Sequence, residues 1–105
     1  MAQTAVSESL ASDKESSPGE WRVDVLILPK DGVNDPQGEA ILGGLDSLGY
    51  ANVDDVRAGK LIRMRLRAAT AEEAHREATS MCDRLLANPV IETYLVEVTR
   101  AEGAP

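Results

Sequence analysis

The stretch KLIRMRLRA, Lys60–Ala68, shows the strictest alternation of apolar and charged side chains in the sequence. Its apolar residues and its arginines occupy alternate positions: Ile62, Met64 and Leu66, and Arg63, Arg65 and Arg67. Successive side chains of a β-strand point to opposite faces of the sheet, so this pattern predicts a strand with one buried face. Thr70 and Glu73 follow at the spacing of a capping box, which predicts that a helix begins directly after the strand.

Further strands are predicted on both sides of this unit. Trp21–Leu28 and Ile91–Thr99 alternate in the same way, and Pro29 helps to end the first because it cannot donate to a sheet. Ala51–Arg57 is a weaker strand, since its two valines are out of phase, which favours an edge position or a bulge. Ala58-Gly59 then predicts a tight hairpin into the strand that starts at Lys60.

Two helices fill the intervals between the strands. Asp35 and Pro36 have the residue types of a helix cap and first helical position, and they precede an apolar stripe of Ile41, Leu45 and Leu48. The second helix begins at the capping box and ends at Asn88-Pro89, because a proline disfavours helical backbone in the residue before it.

The predicted order of elements is therefore βαββαβ, and crossovers between the strands should be right-handed. Covering one sheet face with both helices gives a ferredoxin-like, two-layer α+β sandwich, with a four-stranded antiparallel sheet and two helices on one face. The predicted domain spans residues 21–99. Residues 1–20 are rich in serine and acidic side chains, which predicts a disordered leader, and residues 100–105 form a predicted frayed C-terminus.

Composition excludes several classes of function. The chain has 105 residues and a net charge of −7, which argues against nucleic-acid and membrane-surface partners because both need a basic surface. No apolar stretch approaches the ~20 residues that span a bilayer, and residues 1–20 lack the features of a signal peptide. One cysteine and one histidine offer neither an internal disulfide nor metal-ligand spacing. The expected location is cytoplasmic.

No active site is predicted on this chain. Cys82 lies on the apolar stripe of the second helix, where cysteine acts as a small apolar residue, and His75 lies two turns earlier and off that stripe. Phosphate-binding glycine-rich motifs do not occur in the sequence. Leu26, Leu28 and Leu95 fall on the sheet face without helices and predict a contact between subunits; the alternative is a solvated face with scattered apolar residues.

Four short motifs in a fixed order indicate a family. They are Asp35-Pro36-Gln37-Gly38, Leu48-Gly49-Tyr50, Asp55–Lys60 (DVRAGK) and Leu85–Glu92 (LLANPVIE). Together they closely resemble the PurS family, the small subunit of phosphoribosylformylglycinamidine synthase, over residues 23–98. The leader, and three arginines on the third strand where acidic side chains are frequent, depart from the family pattern.

This resemblance implies a role without chemistry on the chain itself. The family's complex converts formylglycinamide ribonucleotide, glutamine and ATP into the amidine in purine biosynthesis. A large ligase subunit carries the nucleotide sites and uses ATP and Mg²⁺, and a glutaminase subunit carries the nucleophilic cysteine. The small subunit has no cofactor of its own, forms homodimers or higher assemblies, bridges the two partners and assists ammonia transfer.

The family motifs also supply the predicted partner interface: Asp35, Pro36, Gln37, Gly38, Arg57, Lys60, Asn88 and Pro89. Most of these residues have a structural explanation as well, as a helix start, turn charges or a helix stop. Two rival functions use a similar fold. A dimeric regulatory module that binds small molecules needs a glycine-rich loop after the first strand, where the sequence has only Gly32. An acylphosphatase-like hydrolase needs a phosphate-binding loop there with an arginine at its end, and the sequence has neither.

Overall fold

A computed structural model of the protein describes residues 4–6 and 19–101. The described elements, in chain order, are β1 (Thr4–Val6), β2 (Gly19–Pro29), α1 (Pro36–Ser47), β3 (Lys60–Ala68), α2 (Ala71–Met81), a π-helical turn (Cys82–Leu86) that continues α2, and β4 (Glu92–Arg100).

The sheet is built around β2, which pairs antiparallel with β3 on one side and with β4 on the other. In this register Asp24 lies opposite both Arg63 and Glu97. The three alternating strands predicted from the sequence thus form a three-stranded antiparallel sheet, and the α+β class is confirmed. β1 pairs in parallel with β4, so the complete strand order is β1-β4-β2-β3.

The fourth strand differs from the prediction. Ala51–Arg57 forms no strand, and the hairpin at Ala58-Gly59 is absent; residues 50–59 are turn and irregular backbone. The valines of this segment do not alternate, so it has no apolar face that a sheet would bury. Thr4–Val6 supplies the additional strand instead, and its parallel pairing makes the four-stranded sheet mixed rather than wholly antiparallel.

The ends of the predicted domain shift slightly. Gly19 and Glu20, assigned to the disordered leader, are the first residues of β2, and Arg100, assigned to the frayed end, closes β4. Residues 4–6 also lie within the predicted leader but form β1. The rest of the leader, and residues 102–105, lie outside the described residues.

The core lies between α2 and the inner face of the sheet. Trp21, Val23 and Val25 of β2 are fully buried, as are Val96 and Val98 of β4. α2 meets them with its small residues Ala71, Ala74 and Ala78, and the π-helical turn adds Cys82; all four are fully buried. Small side chains let the helix approach the sheet closely, so a core with one aromatic residue is still tightly packed.

Only one of the two helices covers the sheet, contrary to the predicted sandwich. α1 makes only marginal contact with the strands, and its single buried residue is Gly38. Ile41 and Leu48, on the predicted apolar stripe, are 42% and 75% exposed. α1 and the segment after it, residues 36–56, therefore project from the body, and we call this segment the arm.

Candidate functional site

The predicted partner-interface residues come together at one end of the sheet. β2 ends at Pro29, where β3 and β4 begin, so three connecting segments meet there: residues 30–35, 57–59 and 87–91. The backbone N–H of Lys30 donates to the carbonyl of Ile91 at 2.8 Å, which joins two of these segments. We call this region the loop end. Backbone register alone explains the clustering of residues that are far apart in sequence.

Asp35 fixes the base of the arm at the loop end. One carboxylate oxygen accepts from the backbone N–H of Gly38 at 3.0 Å, as predicted for a helix cap. The other accepts from the backbone N–H of Ala58 at 2.9 Å, across 23 residues of sequence. These two hydrogen bonds lower the pKa of Asp35, so the carboxylate is charged at neutral pH. Asp35 is thus a structural clamp as well as a cap.

Gly38 has a structural reason that the sequence did not reveal. A Cβ atom at this position would lie 2.4 Å from the carbonyl oxygen of Val56 and 2.4 Å from Oδ2 of Asp35. Since real Cβ contacts are not this short, only glycine allows the helix start to pack against the returning chain. A glycine early in a helix, which costs about 1 kcal/mol against alanine, is explained by this close approach.

Arg57 ties the returning chain to the end of β2. Its guanidinium donates to the carbonyl of Pro29 at 3.3 Å and pairs with Asp31, and its Nε lies 3.5 Å from Asp55. The residues of the loop end therefore divide into two groups. Asp35, Gly38 and Arg57 hold the loops together. Arg57 is itself exposed, and so are the remaining predicted interface residues: Pro36, Gln37, Lys60, Asn88 and Pro89.

A second candidate surface lies on the sheet face opposite α2. Leu26 lies opposite Leu61 of β3 and Leu95 of β4, and Leu28 is the next residue on the same face. We call these four residues the leucine patch. Leu26, Leu28 and Leu61 are 38%, 42% and 51% exposed, and a shallow groove of about 300 Å³ runs along them. Leu61 was not predicted to lie on this surface, although it occupies the same set of alternate positions in β3 as the three arginines.

A charged row borders the leucine patch. Asp24 accepts from Nε of Arg63 at 2.7 Å and from its Nη2 at 3.1 Å, so the two side chains join β2 to β3. The Arg63 hydrogen bonds lower the pKa of Asp24 despite its burial at 9% exposure. Arg65 pairs with Glu20 at 3.3 Å, a partner that the sequence did not indicate. These ion pairs partly neutralise the positive charge of the arginines on this face.

The Asp24–Arg63 pair predicts a pH dependence of stability. Because the folded pKa of Asp24 is below the unfolded value of about 3.9, its contribution is complete above that value and is lost as pH falls through the folded pKa. We expect Asp24→Asn to lower the free energy of unfolding by about 2 kcal/mol at pH 7 and by less at pH 3. Urea denaturation at both pH values measures this. Glu97→Gln, in the same row, is the control, and an equal loss at both pH values would contradict the prediction.

The described residues carry no arrangement suited to nucleophilic catalysis. Cys82 is fully buried, and burial together with the nearby Asp83 raises the pKa of its thiol. A protonated, buried thiol is a poor nucleophile. Tyr94 donates to Asp83 at 3.0 Å, and burial and this bond raise its pKa to about 12. Within residues 4–6 and 19–101, no three His, Cys, Asp or Glu side chains group as a metal site would require.

The same described ranges contain no helix whose length and apolar character would let it cross a bilayer.

Comparison with known proteins identifies the family. The family model of PurS, described as phosphoribosylformylglycinamidine (FGAM) synthase, matches residues 22–100. A PurS subunit from Synechocystis is 46% identical over 83 residues, which are 79% of this chain and 81% of that protein. One from Archaeoglobus fulgidus is 48% identical over 73 residues, 70% of this chain and 91% of that protein.

Solved structures agree with these relatives. Methanocaldococcus jannaschii PurS has a TM-score of 0.68 at 36% identity, covering 78% of this chain and 99% of that one. A chain in the structure of PurLQS from Thermotoga maritima has a TM-score of 0.67 at 31% identity, covering 73% and 94%. The motifs, the fold and these similarities lead to one conclusion: the chain belongs to the PurS family.

Proposed function

We propose that this chain is the non-catalytic small subunit of an FGAM synthase complex and that it joins a ligase subunit to a glutaminase subunit. The observation that carries the proposal is the family match over residues 22–100. The M. jannaschii relative is described as one of the subunits of formylglycinamide ribonucleotide amidotransferase in the purine biosynthetic pathway. The PurLQS structure from T. maritima contains a chain similar to this one.

The physical requirement for such a subunit lies in the chemistry of ammonia. Ammonia released from glutamine is protonated or lost to water unless a closed route conducts it to the ligase site. A connecting subunit meets this need by positioning its partners, without a nucleophile of its own. In this proposal ATP and Mg²⁺ are used by the ligase, this chain holds no cofactor, and the complex works in the cytoplasm.

Two surfaces of the described chain suit this role. The loop end presents exposed polar residues on a base that Asp35 and Arg57 hold together, so it is a pre-organised contact for the ligase or glutaminase. The leucine patch presents apolar side chains beside a paired charged row, a composition typical of subunit contacts. We assign the loop end to the partners and the leucine patch to a second copy of this chain.

Reconstitution tests the proposed function. Ligase and glutaminase subunits are assayed for glutamine-dependent amidine formation with and without this chain, and with ammonium salt in place of glutamine. We expect the glutamine-dependent rate to fall by at least about tenfold without the chain, equivalent to 1.4 kcal/mol, while the ammonium-dependent rate persists. Full glutamine-dependent activity without the chain would overturn the proposal, and micromolar binding of an amino acid or nucleotide would then favour the regulatory module.

A charge reversal at the loop end refines this test. Lys60 is exposed there, and we expect Lys60→Glu to raise the concentration of this chain that gives half-maximal activity, with the maximal rate retained. Arg76→Glu, an exposed reversal on α2, is the matched control and should leave that concentration unchanged. If both variants changed the half-maximal concentration equally, the loop end would not be part of the partner interface.

The leucine patch predicts self-association. We expect Leu26→Asp to lower the solution mass measured by light scattering, because a buried unpaired carboxylate disfavours a contact between subunits. Val90→Asp is the control, since Val90 is 77% exposed and lies outside the patch. Circular dichroism checks that both variants are folded. An unchanged solution mass for Leu26→Asp would show that the leucine patch does not form the contact between subunits.

A further inference from the structure

Three arginines lie together on the sheet face that carries the leucine patch, at the end of the sheet away from the loop end. Arg22 of β2 lies directly opposite Arg65 of β3, and Arg67 is the next residue of β3 on the same face. Directly opposite residues have Cα atoms about 5 Å apart, and alternate residues of one strand about 7 Å. The three guanidinium groups therefore share one small area, which we call the arginine patch.

Ion pairs within the chain account for only part of the charge of the arginine patch. The carboxylate of Asp24 is already engaged by Arg63 in two hydrogen bonds. Its longer contact with Arg22, at 3.7 Å, joins it to a half-exposed side chain and therefore adds little. Glu20 pairs with Arg65 at 3.3 Å, again between side chains that are about half exposed. Glu20 is thus the one carboxylate near the patch that Arg63 does not already hold within the described ranges.

This arrangement is unfavourable for the chain on its own. Like charges directly opposite one another on neighbouring strands are destabilising, and Arg22 and Arg65 form such a pair. Arg67 makes no ion pair with any residue that the structure describes. Packing does not explain the three arginines either, since all of them are exposed. An anionic group from outside the chain would relieve this repulsion.

The shape of the surface indicates which kind of anion fits. A small anionic ligand is usually held in a concave site that buries most of its surface. The arginine patch instead lies on a sheet face without helices, and the side chains of Arg22 and Arg65 are 48% and 56% exposed. A planar guanidinium group can bind both oxygens of a carboxylate through parallel hydrogen bonds. The matching partner is therefore a protein segment rich in carboxylates.

We propose that the arginine patch binds an acidic segment of a partner subunit of the complex. This inference rests on the proposed function, and it adds a contact distinct from the loop end and the leucine patch. The whole chain carries 18 acidic and 11 basic residues, so most of its surface repels an acidic partner. The patch attracts such a partner, and this difference orients the chain as the complex assembles.

Calorimetric titration of the full chain into an equimolar mixture of ligase and glutaminase subunits tests this contact. We expect the double variant Arg22→Gln/Arg67→Gln to raise the Kd about tenfold at about 0.1 M salt. The effect should be much smaller at about 1 M salt, where charges are screened beyond about 3 Å. Arg67→Gln alone should raise the Kd about threefold. Arg76→Gln, which removes the same charge from an exposed position on α2, is the matched control and should leave the Kd unchanged.

Several results would overturn this inference. One is a Kd for the double variant equal to that of the unchanged chain at about 0.1 M salt, with circular dichroism showing that both are folded. A lower solution mass for the double variant in light scattering would place the patch in a contact between copies of this chain. Binding of inorganic pyrophosphate that the double variant loses would make the patch a small-anion site.

Failure of the proposed function gives a different result from failure of this inference. If the unchanged chain did not bind the mixture of subunits at either salt concentration, the proposed function itself would be contradicted. If the unchanged chain bound and the Arg22→Gln/Arg67→Gln variant bound equally well, only the role of the arginine patch would be lost.

Discussion

We expect Trp21→Ala to lower the free energy of unfolding more than any other single substitution considered for this chain. Trp21 is the largest fully buried side chain, and its indole N–H donates to the carbonyl of Ala68 at 3.0 Å. Truncation to alanine creates a large cavity and leaves a buried carbonyl without its donor, a loss of about 4 kcal/mol. A domain of this size has a total free energy of unfolding of about 4–12 kcal/mol. The substitution therefore removes a large part of the stability of the chain.

Urea denaturation followed by circular dichroism, at one fixed protein concentration, measures this effect. Trp21→Phe is the informative companion, because it keeps most of the apolar volume and removes the indole N–H. We expect it to lower the free energy of unfolding by about 1–2 kcal/mol. A Trp21→Ala protein as stable as Trp21→Phe would show that the ring volume is not the main contribution.

Gly59→Ala has the second largest expected effect on stability. A Cβ atom there would lie 1.9 Å from the carbonyl oxygen of Ile27 and 2.8 Å from a methyl carbon of Leu28. The start of β3 would have to move away from the end of β2, which disrupts their pairing next to the leucine patch. We expect the free energy of unfolding to fall by about 3 kcal/mol.

The matched control for this prediction is Gly43→Ala, in the middle of α1. Apart from its chain neighbours and the backbone of its own helix, no atom lies within 4 Å of a Cβ built at Gly43, and alanine is the better helix former by about 1 kcal/mol. The two substitutions make the same chemical change and are expected to have opposite signs in urea denaturation. If Gly59→Ala changed the free energy of unfolding only slightly, the backbone of the loop end would be able to shift at little cost and would not be a rigid base.

The elements predicted well from the sequence are those with a strong period. β2, β3 and β4 alternate over eight or more residues, and α2 starts at its predicted capping box, where the Thr70 hydroxyl accepts from the backbone N–H of Glu73 at 3.1 Å. In these segments local preference and burial agree, which makes the assignment insensitive to the rest of the molecule. Thr4–Val6 is too short to show any period, so β1 was missed.

The position of α1 relative to the sheet could not be predicted from the pattern of its apolar residues. Its stripe correctly indicates that the helix has an apolar face, but the same stripe is expected whether that face covers its own sheet or another chain. The loop end has a similar limit, because Asp35 and Ala58 are far apart in sequence and their contact depends on the fold. The cap function of Asp35 was predictable from its neighbours, and its clamp function was not.

The central place of β2 in the sheet has a consequence for synthesis on the ribosome. The chain is synthesised from its amino end, so the apolar residues of β2 are made before either of its antiparallel partners. Glu97, which lies opposite Asp24, is synthesised only after α1, β3 and α2. A nascent chain therefore carries an apolar strand without its antiparallel partners until β3 and β4 have been synthesised, and other molecules bound to the growing polypeptide would have to protect that strand.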